Sequence, residues 1–393
     1  MIYLDNAATT RVRDEAAAAA LAAMQEDFAN PSSTHTLGRR AAGIVTKARA
    51  AIAKPLGASP AEVIFTSGGT EADNWAILGG AEATRRYGNH IITAKTEHSA
   101  AVNSAKHLQT LGFEVTLLAP DAQGRITPEA FAAALRDDTI LASVMLVNNE
   151  TGVINPVAAL AELLHGRNKP ALFHTDAVQA YGKIPVVARS LGADLVSVSA
   201  HKIGGAKGVG ALFVRSGVRL PVMLHGGEQE YGRRAGTEPL PAIAAFGEAA
   251  RLGEIEREAS FAHVAELRAL AVSELRERLR FLRFITDTDG RGVADGVQSP
   301  YILSIALPGY RSEVLMTALE ADEIFLSRSS ACKKGARSHV LEAMGLPAEV
   351  MDGALRVSFS HETTREDVLA FVERLEHAAN TIFTRKPMKI HQA

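Results

Sequence analysis

At 393 residues the chain is longer than one hydrophobic core usually supports, and its 47% hydrophobic content can fill two, so one large and one small domain are expected. Forty-two Lys and Arg against 44 Asp and Glu leave a formal charge of -2, which excludes a global field for nucleic acid or an anionic membrane. The single cysteine, Cys332, excludes an intrachain disulfide and any all-cysteine metal site within one chain, so no metal is expected. The start, "MIYLDNAATT", carries Asp5 and no basic n-region, and no apolar run reaches membrane-spanning length. These features predict a cytoplasmic protein of a reducing compartment.

From about Glu62 to Arg215, short β-rich runs alternate with amphipathic helical stretches: "EVIFTS", "HIITAK", "EVTLLA", "ILASVMLVN", "ALFHTD", "LVSVSA" and "GALFVR". The alternation predicts βαβ crossovers and a largely parallel sheet with helices on both faces. Near Gly253 the pattern changes to a long charged helix, "EREASFAHVAELRALAVSELRERL". "YILSIALP", a helix from about Ser312, "IFLSRSS", another helix and "ALRVSFS" follow, the pattern of a smaller α+β domain that could also take in "MIYLD".

In open α/β sheets ligands bind beyond the carboxyl ends of the strands, so the residues there are the candidates for chemistry. "EVIFTS" runs into "GGTEADN", where Gly68 and Gly69 free the backbone and Thr70 opens a helix suited to a phosphate. His98 follows "HIITAK", and Asn149 and Glu150 follow "ILASVMLVN". Asp176 closes "ALFHTD" with Gln179 one turn on, and His201 and Lys202 close "LVSVSA". A phosphate cradle, an aromatic ring, a strand-end carboxylate and a lysine on one rim match the needs of pyridoxal 5'-phosphate. Lys202 would hold the cofactor covalently, Asp176 would keep its ring nitrogen protonated, and His98 would stack on the ring. The interval from Asp176 to Lys202 accommodates one βαβ crossover and places both on adjacent strand ends. Lys207 in "GGAKGVG" is the weaker candidate, because no P-loop pattern surrounds it and a strand follows where a helix should.

Read in order, "YLDNAATT", "NPSSTHTLGRRA", "FTSGGTEADN", "EHSA", "VNNETGVINP", "HTDAVQAYGK", "SVSAHKIGGAKGVGAL", "HGGEQEYGRRAGT", "SSAC" and "LRVSFS" resemble the cysteine desulfurases nearly end to end. The resemblance implies an α/β fold of the fold-type I aminotransferase kind. Its large domain would carry a mostly parallel seven-stranded sheet over 13–255, and its small α+β domain would comprise 1–12 and 256–393. It also implies a pyridoxal phosphate enzyme that acts as a homodimer, takes sulfur from L-cysteine and hands it to an acceptor protein, an iron–sulfur scaffold or a thiolation enzyme. By position it assigns Gly69, Thr70, Ser199 and His201 to the cofactor phosphate, with Thr237 reaching it from the neighbouring subunit. Gln179 would bond the ring hydroxyl, Asn149 would lie near that hydroxyl and the substrate carboxylate, and Arg356 would clamp the carboxylate. A selenocysteine lyase or cysteine-sulfinate-type lyase is the alternative on the same scaffold.

Cys332 matches the thiol that accepts sulfur, and its loop departs from the family pattern. Arg328 stands where glycine is usual, and Lys333 and Lys334 follow the cysteine. With Arg337 these cations are expected to favour the nucleophilic thiolate.

Overall fold

The computed structural model describes residues 1–167, 169–287, 289–329 and 337–382. Seven strands, Val63–Thr66 (β1), His90–Ala94 (β2), Glu114–Leu118 (β3), Thr139–Ser143 (β4), Leu172–Asp176 (β5), Leu195–Ser199 (β6) and Gly210–Val214 (β7), form one sheet in the order β1-β7-β6-β5-β4-β2-β3. All but β3 are buried along their whole length, as strands covered by helices on both faces must be. The pairings from β6 through β3 are parallel, whereas β7 is antiparallel to both its neighbours. The connection from Ser199 to Gly210 is too short for a helical crossover, so the chain turns back on itself as a hairpin. Gly210 makes that hairpin possible, since a Cβ there would lie 2.8 Å from the backbone of Gly68.

β5 and β6 are adjacent, with Asp176 opposite Ser197. The segment joining them is built of turns, not the expected helix. Gly182, at φ +71°, and Pro185 break any helical run there, and a Cβ on Gly182 would press into Ile203.

A second sheet of four strands is built around Ile302–Ala306 (β8) and Ala354–Ser358 (β9). The expected strand "IFLSRSS" is split: Ile324–Phe325 pairs in parallel with Ile2–Tyr3, and Ser327–Arg328 pairs with β9. The first of these pairs is a separate two-stranded sheet, and the N-terminal segment joins the second sheet through a bridge from Asp5 to Ser358, with Leu4 and Ala7 in the small core. The long helix begins earlier than the sequence pattern indicates and runs unbroken over Leu240–Arg278. Its first half, including Ile243, Phe246 and Ala250, is buried in the core of the large sheet, and Val264, Leu267 and Leu275 are buried in that of the small one. No described helix is long and apolar enough to cross a membrane.

Candidate active site

A cleft of ≈ 890 Å³ opens where β2, β4, β5 and β6 end. Gly69, Thr70, His98, Asn149, Asp176, Gln179, Ser199, His201, Lys202 and Arg356 all line it. Thr237 does not; it is exposed. Cys332 lies outside the described residues, as do Lys333 and Lys334. Lys207 is exposed in the hairpin and contributes nothing to the cleft.

Lys202 sits in a single 3-10 turn straight after β6, which carries it off the sheet edge. Its Nζ donates to the carbonyl oxygens of Ala7 (2.6 Å) and Ala8 (2.8 Å), so the N-terminal segment closes over the lysine. Thr10 secures that segment, donating to the His201 carbonyl at 2.9 Å and accepting from the Gly204 amide. Gln179 is buried, and its Nε2 also donates to Ala7 O, at 2.8 Å.

Asp176 is buried at the end of β5 and accepts from the Val178 amide at 2.8 Å. Burial pushes its carboxyl up, while His98 and, more weakly, Lys202 pull it down. Asp73 and Glu97 are fully buried nearby, and burial drives both well above the ordinary carboxylate range. His174 lies among them, bonded to Ser143 and Ser197 at 2.9 Å each, and burial holds it near 3, hence neutral. Asp176 therefore has acids behind it and the open cleft before it, an environment that calls for a cation on the cleft side.

His98 caps the Ser99–Thr110 helix, its Nδ1 accepting from the Ala100 amide at 3.2 Å. The proton of the neutral ring therefore belongs on Nε2. Burial lowers its pKa, with Asp176 opposing. Asn149 stands on a turn made by Asn148, whose Oδ1 accepts from the amides of Glu150 and Thr151 at 2.9 Å and whose Nδ2 donates to Thr96 O. Arg356 is 2% exposed; one Nη donates to Asn149 O at 2.9 Å and the other pairs with Asp5 at 3.0 Å.

Arg328 pairs with Glu313 at 2.9 Å and Arg337 with Asp352 at 2.8 Å, so both of these loop cations are matched by carboxylates. Ser338, which ends the loop, donates to buried Glu150 and caps the next helix turn through Leu341 N. The Ala7 and Ala8 carbonyls, Asn148 and the Asp73–Glu97 pair carried no role in the sequence reading, although "DNAATT", "NNET", "TEADN" and "TEHSA" hold them.

The chain belongs to the class-V aminotransferase family, which it matches over residues 2–371. Within that family its similarity is to cysteine desulfurases. It is 39% identical over 389 residues to cysteine desulfurase IscS of Methanosarcina thermophila, covering 98% of this chain and 94% of that one. Among solved structures, a NifS-like protein superposes with a TM-score of 0.90 at 35% identity, covering 97% of this chain and all of the other. SspA, solved in complex with cysteine, gives 0.78 at 30% identity over 93% of this chain and 100% of its own.

Class-V aminotransferases are pyridoxal phosphate enzymes, and the cleft fits that group. Ser199 Oγ, Asn149 Oδ1 and Arg356 Nε are buried without a hydrogen-bond partner among the described residues, and all three residues line the cleft beside Lys202 and Asp176. Buried polar atoms of this kind normally have partners: Ser199 Oγ and Arg356 Nε can donate to an anionic, oxygen-rich ligand, Asn149 Oδ1 can accept from a ligand hydroxyl or amine, and Asp176 can meet a protonated ring nitrogen.

Proposed function

We propose that the chain binds pyridoxal 5'-phosphate and uses it as an L-cysteine desulfurase, releasing L-alanine and leaving the sulfur on Cys332. The observation that carries this is the set of orphaned polar atoms, Ser199 Oγ, Asn149 Oδ1 and Arg356 Nε, in one cleft with Lys202 and Asp176. When bound, the cofactor supplies an electron sink for the bonds at the substrate Cα and Cβ.

Lys202 anchors the cofactor, and Gly69, Thr70, Ser199 and His201 take its phosphate, with Thr237 joining from the partner subunit of a homodimer. Asp176, when ionised, would pair with a protonated ring nitrogen, the cation that its surroundings call for. Arg356 takes the substrate carboxylate beside Asn149; Asp5 and Asn149 O hold the guanidinium in place. As a free amine Lys202 would take the Cα proton, and the Ala7 and Ala8 carbonyls would hold the resulting ammonium. His98 moves protons through Nε2, because Nδ1 is committed to its helix cap. The Cys332 thiolate attacks the substrate Sγ; the S–S bond forms as Cβ–S breaks, and the carbon fragment leaves as alanine after protonation. Atoms balance: cysteine and a thiol give alanine and a persulfide. The outer sulfur of the persulfide then passes to an acceptor protein in the cytoplasm, the S–S bond breaking as Cys332 leaves as the thiolate. The division into 13–255 and 1–12 with 256–393 belongs to the same reading, with the Cys332 segment carried by the smaller part.

Mass analysis after one turnover with L-cysteine tests this. One added sulfur on Cys332 with stoichiometric alanine is expected; alanine with no sulfur on Cys332 overturns the assignment.

A further inference from the structure

Lys202 lines two cavities: the cleft, and a second one of ≈ 40 Å³ shared with Asn6, Arg13, Lys183, Tyr301 and His361. Lys183 is 7% exposed, and its partners among the described residues are an amide oxygen and an aromatic face rather than a carboxylate. Its Nζ donates to Gln179 Oε1 at 3.1 Å and lies 5.7 Å from the centre of the Tyr301 ring. A buried lysine without a counter-ion is costly, so its contact with Gln179 calls for a reason.

The two ends of a glutamine amide are nearly equal in shape, and only its partners decide which way it faces. Turned over, Gln179 would set its NH2 against the Lys183 ammonium and its oxygen against the Ala7 carbonyl oxygen, a mismatch at both ends. We infer that Lys183 is a positioning residue for the reaction: by donating to Oε1 it holds the Gln179 N–H groups toward Ala7 O, the carbonyl shared with Lys202, and leaves one N–H for an acceptor oxygen in the cleft. This rests on reading Gln179 and Lys202 as cofactor contacts. A donor fixed at that point favours an ionised oxygen on the ring over a hydroxyl. Burial brings Lys183 down to about 7, with Lys202 and Arg356 as the charges facing it, so its hold on the amide is firmest on the acid side of neutrality.

The test is a double-mutant cycle on the holoenzyme, Lys183→Met and Gln179→Leu, with two readouts: the pH midpoint of the cofactor's near-visible absorbance, and the dissociation constant for pyridoxal phosphate. Methionine suits a buried site, and Lys183→Arg, which keeps the donor, serves as the rescue variant. Each single change is expected to move the midpoint and weaken cofactor binding roughly five- to tenfold, the worth of about one hydrogen bond. The double variant is expected to be no worse than Gln179→Leu alone, and Lys183→Arg to restore part of the shift. An unmoved midpoint in Lys183→Met beside a shifted one in Gln179→Leu overturns the role of Lys183, as does full additivity. An unmoved midpoint in Gln179→Leu overturns instead the reading of Gln179 on which the inference stands.

Discussion

Replacing Glu230 by leucine tests how the chain holds the loop that carries Thr237. Glu230 is 5% exposed and meets Arg49 through two hydrogen bonds, of 2.6 and 2.7 Å, while its Oε2 also accepts from the Phe65 amide at 2.9 Å. Arg49 in turn donates to Val63 O at 2.8 Å and lies over the Phe65 ring, 4.6 Å from its centre. The carboxylate therefore ties the loop to β1 and the Thr36–Ala53 helix, and it keeps Glu230 and Tyr231 at φ of +49° and +60°. Glu230→Leu leaves a buried guanidinium without its counter-ion, a loss of ~3–5 kcal/mol, and the orphaned Phe65 amide adds ~1 kcal/mol. Adding Arg49→Met removes the stranded charge and leaves only Phe65 N and Val63 O without partners. The double variant should therefore recover about 2 kcal/mol of the loss. Urea unfolding of both variants reads this directly, and cofactor affinity should fall in Glu230→Leu as the Thr237 loop loosens. A double variant no more stable than Glu230→Leu would refute the claim that the unpaired charge dominates.

Glu150 is pushed up to about 7, by burial first, against the pull of Ser338 and Arg356. Because its folded pKa lies above the ordinary value, its contribution to stability is full below about pH 4.5 and is lost as pH rises through 7. Glu150→Gln should remove that slope, a difference on the order of 2–3 kcal/mol between pH 5 and 8 in parallel denaturation curves; superimposable pH profiles would count against a buried, protonated Glu150. Lys202→Ala should lose the near-visible absorbance of the bound cofactor, and borohydride with peptide mapping should label Lys202 in the parent chain; label on Lys207 would point to the wrong lysine. Thr237→Val and Lys202→Ala chains, each impaired alone, should yield partly active mixed dimers, whereas no recovery on mixing would speak against a phosphate contact made across subunits.

Features set by local pattern were legible in the sequence. Strand-length apolar runs alternating with amphipathic stretches define the large sheet whatever the rest of the chain does, because burial on both faces demands that composition. Polar residues at the strand ends could be picked out for the same reason, and Asp176, His98, Asn149 and Lys202 now line one cleft. The choice of Lys202 over Lys207 as a site candidate was also local: one ends a strand, and the other sits in the turn of a hairpin.

What tertiary structure alone decided is which groups meet across long separations and what burial does to them. Nothing in "DNAATT" shows that two alanine carbonyls will receive the amine of a lysine 195 and 194 residues away; backbone acceptors carry no side-chain signature. Nothing in the sequence marks out Lys183, and only the packing of Tyr301 and Gln179 around it makes it a buried donor with a displaced pKa. Asp73, Glu97 and Asp176 come from separate elements, and their mutual effect exists only once the sheet has folded and excluded water from between them. Residue 253 looked like a change of element because the composition turns charged there, yet one helix continues through it, buried first by one core and then by the other. Periodicity and composition are properties of neighbours along the chain, whereas proton affinity, amide orientation and the partners of a backbone carbonyl depend on neighbours in space.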